Sequence, residues 1–128
     1  MIQRKQTIYL FLIALLMAVC GFYAFAESDK LYYIVLSVWS ALVAFASFMT
    51  IFCYSKRRKQ MTYCRIGQLA TFLWCAGFIY IHLWMCGGPQ TRMPLYAFLP
   101  IVCIVLYGLA YKGIKHDDDL VRSADRIR

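Results

Sequence analysis

Two side chains with chemistry to offer sit inside otherwise apolar stretches, Gln68 and His82. His82 lies between Tyr80 and Trp84 near the end of its run. An imidazole there can titrate with external pH or bind a lipid headgroup. Its structural alternative is an interfacial histidine satisfied by water or a nearby hydroxyl. Gln68 is either a ligand residue or a hydrogen-bonding link between helices. Six cysteines (Cys20, Cys53, Cys64, Cys75, Cys86 and Cys103) form no C-x-x-C pair and no zinc-like cluster. Cys20 and Cys86 fall toward the same side of the chain's layout and are close enough in depth to pair. No aspartate or glutamate interrupts the apolar runs, so the ionisable relay of proton-coupled transport is missing. A single histidine leaves no bis-histidine haem site, and there is no phosphate-binding glycine loop or nucleophile–base pair. The residues therefore predict neither an enzyme nor a cofactor.

The elements that position these residues follow from the charges. The chain of 128 residues is 62% hydrophobic and 16% charged. Its charge-free runs are Gln6–Ala26, Leu31–Ser55, Ile66–Thr91 and Met93–Tyr111. A spanning helix needs ~20 apolar residues at ~1.5 Å rise to cross a ~30 Å hydrocarbon core. Lipid offers no partner to backbone N–H and C=O groups, so such runs must be helical. Spans are predicted at about 7–26, 31–54, 66–86 and 94–111, with a basic loop at 55–65. The four cations Lys56, Arg57, Arg58 and Lys59 divide the chain into two halves. With both termini and this loop on one side, 12 of the 14 lysines and arginines lie there, leaving Lys30 and Arg92 opposite. Positive charge collects on the cytoplasmic side, which predicts cytoplasmic N- and C-termini. The net charge of +8 then faces anionic inner-leaflet headgroups, with Lys56–Lys59 as the contact, and not nucleic acid.

Finer marks complete the layout. Ala24-Phe25-Ala26 resembles a signal-peptidase site, but the apolar stretch before it suits an uncleaved first helix better. Ala14, Ala18 and Gly21 form a small-residue stripe, and Ser37, Ser40, Ala41, Ala44 and Ser47 form another on the second span. Both predict close helix packing, with hydroxyls able to bond across helices. The link Glu27–Lys30 is short enough to force an antiparallel hairpin. Gly87-Gly88-Pro89 ends the third span, Pro94 can start the fourth, and Pro100 predicts a kink in it. Tyr9, Tyr54, Tyr63, Tyr107 and Tyr111 fall at one boundary, and Tyr23, Tyr32, Tyr33 and Tyr96 at the other, as aromatic belts do. Residues 117–128 carry Asp117–Asp119 at the start, Arg122, Arg126 and Arg128 toward the end, and an apolar stripe of Leu120, Val121, Ala124 and Ile127. This predicts a short amphipathic helix with charges that complement its dipole, including an Asp118–Arg122 pair.

The two ends are the most specific part of the chain. Met1-Ile2-Gln3-Arg4 with Gln6-Thr7, and Leu120-Val121-Arg122-Ser123-Ala124-Asp125-Arg126-Ile127-Arg128, resemble the end signatures of the domain of unknown function 4293 family. These are small four-helix membrane proteins of the Bacteroidota group, so the resemblance implies a bacterial inner-membrane protein; it implies no catalytic or ligand residue. The expected fold is all-α: an integral membrane four-helix bundle of two antiparallel hairpins (1–116) plus a short cytoplasmic C-terminal helix (117–128). The expected role is a non-enzymatic interaction or assembly subunit. It would dock an unidentified protein partner, or a second copy, through Arg4, Arg122, Asp125, Arg126 and Arg128. The alternative is a small transporter or permeability factor acting as an oligomer through Gln68, His82 and the bend at Pro100.

Overall fold

A computed structural model describes residues 2–26, 30–85 and 94–127. Four long helices account for most of them: α1 (Ile2–Ala26), α2 (Leu31–Phe52), α3 (Arg57–Met85) and α4 (Leu99–Ile127). Short 3-10 turns at Cys53–Ser55 and Leu95–Phe98 precede α3 and α4. All four helices are long and apolar enough to cross a membrane. They pack as a ring in which α1 touches α2 and α4, and α3 touches α4 and α2. Successive helices run antiparallel, so both termini and the Lys56 turn gather at one end, the basic end.

The inward faces repeat every three and four residues. On α1 the buried positions are Gln6, Leu10, Ile13, Met17, Cys20, Gly21 and Ala24; on α4 they are Pro100, Cys103, Tyr107, Ala110 and Ile114. A 3.5-residue period keeps one seam turned toward its partners, as in bundles with ~20° crossings. Within the apolar runs large hydrophobic side chains off that seam point outward: Phe22 is 70% exposed, Leu31 76% and Trp84 77%. Such a surface is suited to lipid, and water would penalise it heavily.

The core has two parts. Toward the basic end Leu10, Ile13, Met17, Val43, Ala44, Tyr107 and Ile114 pack together. The opposite half is aromatic: Trp74 stacks on Phe78 at 5.4 Å, and Phe78 stacks on His82 at 5.8 Å. Tyr96 meets Phe78 edge-on at 5.8 Å and stacks on Tyr23 at 5.9 Å. The Trp74 indole N–H donates to the Leu36 carbonyl at 2.9 Å, which satisfies a donor that burial would otherwise leave costly.

Several expectations are corrected. Residues 55–65 are not a loop, because α3 starts at Arg57; lysine, arginine and glutamine are good helix formers, and the chain turns through Cys53–Ser55 and Lys56. The tail is helical but not a separate helix, since α4 runs unbroken to Ile127 with no glycine or proline between 114 and 127 to stop it. Pro100 produces no mid-helix bend. It is the second residue of α4, after a 3-10 turn, where its missing N–H leaves no bond unmade. Cys64 is not on a cytoplasmic loop but packed in the core at 1% exposure. Tyr107 and Tyr96 are buried as well, and belong to the core instead of the boundary belts. Along α2, Ser37, Ser40, Ala44 and Ser47 face inward as expected, whereas Ala41 is exposed. Ala18 on α1 is likewise exposed while Gly21 is buried. The Cys20–Cys86 pairing and the Gly87-Gly88-Pro89 stop fall partly or wholly outside the described residues.

Candidate functional site

At the basic end, the two helix ends that carry the chain's most specific sequence are joined. The Gln6 side-chain amide donates to the Asp117 carboxylate at 3.0 Å, linking the first turns of α1 to α4. Gly113 makes room for this: a Cβ there would stand 3.2 Å from Gln6 Cγ. Beyond Asp117 the bundle provides no further cover. Ile114 is the last buried residue of α4, so the helix projects about 20 Å past it at ~1.5 Å per residue. On this projection Leu120 is 49% exposed, Val121 43% and Ile127 88%, and Ala124 is exposed too. The expected Asp118–Arg122 pair is present at 3.2 Å, with the Arg122 side chain largely in solvent. Asp125 and Arg126 are exposed. At 100° per residue Arg122 and Arg126 occupy the face opposite the apolar stripe. Arg128 lies outside the described residues, as does the side chain of Arg4.

The basic turn is the second feature. Lys56, Arg58 and Lys59 are exposed and Arg57 is half-buried. The Gln60 amide donates to the Thr50 carbonyl at 3.3 Å, tying the start of α3 to the end of α2. Past this link the two helices part. They leave a cleft of about 540 Å³ lined by Trp39, Leu42, Ala46, Met49, Tyr63 and Ile66, with Ser47, Gly67 and Tyr107 at its floor.

The floor is set by a single crossing. Tyr107 reaches from α4 across the bundle, its hydroxyl hydrogen-bonded to Ser47 Oγ. Ser47 gives its own proton to the Val43 carbonyl at 2.8 Å, so Tyr107 must be the donor. Gly67 lets the ring pass: a Cβ there would meet the Tyr107 ring and hydroxyl at 2.7 Å. Ser37, Ser40 and Thr50 bond carbonyls of their own helix at 2.7–2.8 Å.

The two polar candidates of the apolar runs are held apart, on α3. Gln68 donates to the Ile104 carbonyl of α4 at 3.4 Å. His82 is 7% exposed and stacked in the aromatic column, while Tyr80 and Trp84 stack on each other at 6.3 Å on the outer face. The structure thus brings Gln6 to Asp117 and Ser47 to Tyr107 over Gly67, pairings that the spacing of residues had not indicated. The available signal was the step pattern 60, 64, 67, 71 on α3, which places Gln60, Cys64, Gly67 and Thr71 on one stripe.

No curated protein and no solved structure matches the chain. A family model does, over residues 26–127, a match that takes in most of the C-terminal signature and leaves the Met1–Thr7 stretch outside. Four apolar helices in a ring, with the fourth running on past the bundle, are thus the fold of a member of the family described as domain of unknown function (DUF4293), to which this chain belongs.

Proposed function

We propose that this protein is a non-enzymatic assembly subunit of the bacterial inner membrane that holds a cytoplasmic protein through the projecting end of α4. The four helices span the bilayer, with both termini and the Lys56 turn in the cytoplasm, where 12 of the 14 cations collect. The observation that carries the reading is the uncovered stripe Leu120, Val121, Ala124 and Ile127 on a helix that has already left the bundle. Its occupant is a protein groove and not the leaflet surface. Residues 118–127 hold three aspartates against two arginines, and an anionic membrane offers such a segment no attraction. An amphipathic helix with anchors at these spacings fits the helix-in-groove mode of recognition, with Arg122, Asp125 and Arg126 at the rim.

Conduction through the bundle is the weaker alternative, because its polar candidates are engaged in packing: Gln68 with the Ile104 carbonyl, His82 on the Phe78 ring. The test is chemical cross-linking in intact membranes of the full-length chain, Val121→Asp and Phe45→Leu. A defined heteromeric species is expected for the first and third and should be lost in Val121→Asp. The same species from all three, or only homo-oligomers, would overturn the reading.

A further inference from the structure

We propose that the cleft between α2 and α3 is a binding site for one acyl chain of an anionic phospholipid, whose phosphate is held by the basic turn at the cleft's end. The cleft lies in the half of the bundle nearest the basic end and opens sideways. Its rims, Trp39, Leu42, Met49, Tyr63 and Ile66, are exposed on the surface that faces lipid. Its volume of about 540 Å³ falls in the ~300–1,000 Å³ range of ligand pockets.

The lining selects the class of occupant. The Ser47 and Tyr107 hydroxyls at the floor are satisfied by each other and by the Val43 carbonyl. They therefore ask nothing of a ligand, and the cleft takes a flexible hydrocarbon. The cleft stays open because the Gly67–Tyr107 crossing fills the seam from inside, so α2 and α3 cannot close upon each other at this depth. At the basic end the lining runs on past the Gln60–Thr50 bond to Cys53. Directly beyond come Lys56, Arg57, Arg58 and Lys59, in a stretch of sequence that carries no acidic residue of its own from Lys30 to His116. A chain seated in the cleft thus puts its own headgroup beside four cations, and charge complementarity selects a lipid with net negative charge over a zwitterionic one. A second copy of the protein would find these cations opposed by its own.

The experiment uses the full-length protein in detergent, titrated with phosphatidylglycerol or phosphatidylcholine carrying the same brominated acyl chains. Bromines near Trp39 quench its fluorescence, and Trp39→Phe isolates that contribution from Trp74 and Trp84. Quenching of the Trp39 component should saturate at lower phosphatidylglycerol than phosphatidylcholine. Each basic residue near the surface is worth about fivefold in affinity, so Lys56→Gln/Arg58→Gln/Lys59→Gln should weaken phosphatidylglycerol at least tenfold and leave phosphatidylcholine unchanged. Ala46→Phe, which fills the cleft, should abolish the saturable component at unchanged Tm. The wild-type comparison stands even if that variant misfolds. Equal affinity for the two lipids, quenching that never saturates, or a dimer that Ala46→Phe dissociates would each overturn the assignment.

Discussion

Replacing Gly67 with alanine adds one methyl group at a crossing that has no room for it. In an exposed helix this change stabilises by about 1 kcal/mol, since glycine carries the greater backbone entropy. Here the new Cβ would lie 2.7 Å from Tyr107 Cζ and Oη and 2.8 Å from Cε1. These are atoms of a rigid ring that is 2% exposed and anchored to Ser47, so retreat means breaking that bond or moving α4. Overpacking of this kind costs about 1–3 kcal/mol, and losing the hydroxyl bond adds about 1 kcal/mol. After the propensity gain, the net loss is about 1–3 kcal/mol, or roughly 4–12 °C in Tm for a chain of this size. Gly77 is the control, because nothing lies within 4 Å of a Cβ built there. Gly77→Ala should therefore raise Tm by a few degrees. The assay is a thermal melt in mild detergent, followed by circular dichroism. A second arm, Gly67→Ala in a Tyr107→Leu background, should cost less than in the wild type, since the ring it strikes has gone. If Gly67→Ala melts at or above the wild type, the crossing is wrong.

Other outcomes follow from the same packing. Ser40→Leu should destabilise the bundle by about 1–3 kcal/mol, because Ser40 is fully buried and Gly21 of α1 lies against it; Phe45→Leu, on the 60%-exposed outer face, should leave Tm within 2–3 °C, roughly the effect of an ordinary surface change. Gln6→Ala should lower Tm by roughly 4 °C, for a bond worth about 1 kcal/mol, and lose its effect in an Asp117→Ala background. Ending the chain after Asp119 should leave Tm unchanged by melting, since residues 120–127 are exposed and the Gln6–Asp117 bond survives. For topology, Ser55→Cys should react with a membrane-impermeant maleimide only after the inner membrane is opened, while the buried Cys64 stays unlabelled throughout; labelling of Ser55→Cys in cells with only the outer envelope permeabilised would reverse the orientation.

How much of this was legible in the sequence depended on which contrasts the solvent imposes. Charge-free runs stand out because lipid excludes charge, so the four helices and their antiparallel order could be read directly. Helix ends were less visible. The Lys56–Lys59 run reads as loop because charge marks the edge of the bilayer, yet charge does not end a helix, and α3 begins within it at Arg57. Inward and outward faces were the hardest to tell apart. In water an inward face is apolar and an outward one polar; here both are apolar, and only small or polar residues mark the seam. That mark was readable on α2 through Ser37, Ser40, Ala44 and Ser47. On α1 the seam runs through Gln6, Leu10, Ile13, Met17, Cys20 and Ala24, where leucine and isoleucine look no different from their outward neighbours. The inward position of His82 is hidden in the sequence for a related reason. Its sequence neighbours Tyr80 and Trp84 are exposed on the outer face, but residues two apart on a helix do not share a face, and His82 points inward. The projection of α4 was half visible: its stripe and its Asp118–Arg122 pair were evident, its continuity with the span was not.

The most direct test of the account is site-specific photo-cross-linking in growing cells, with a photoreactive residue at Val121 and, for comparison, at Phe45 on the outward face of α2. A docked cytoplasmic partner predicts one discrete protein adduct from position 121 that disappears in an Ile127→Asp background, and mainly lipid adducts from position 45. Lipid adducts alone at position 121, or none, would contradict the claim that the end of α4 is held by a protein.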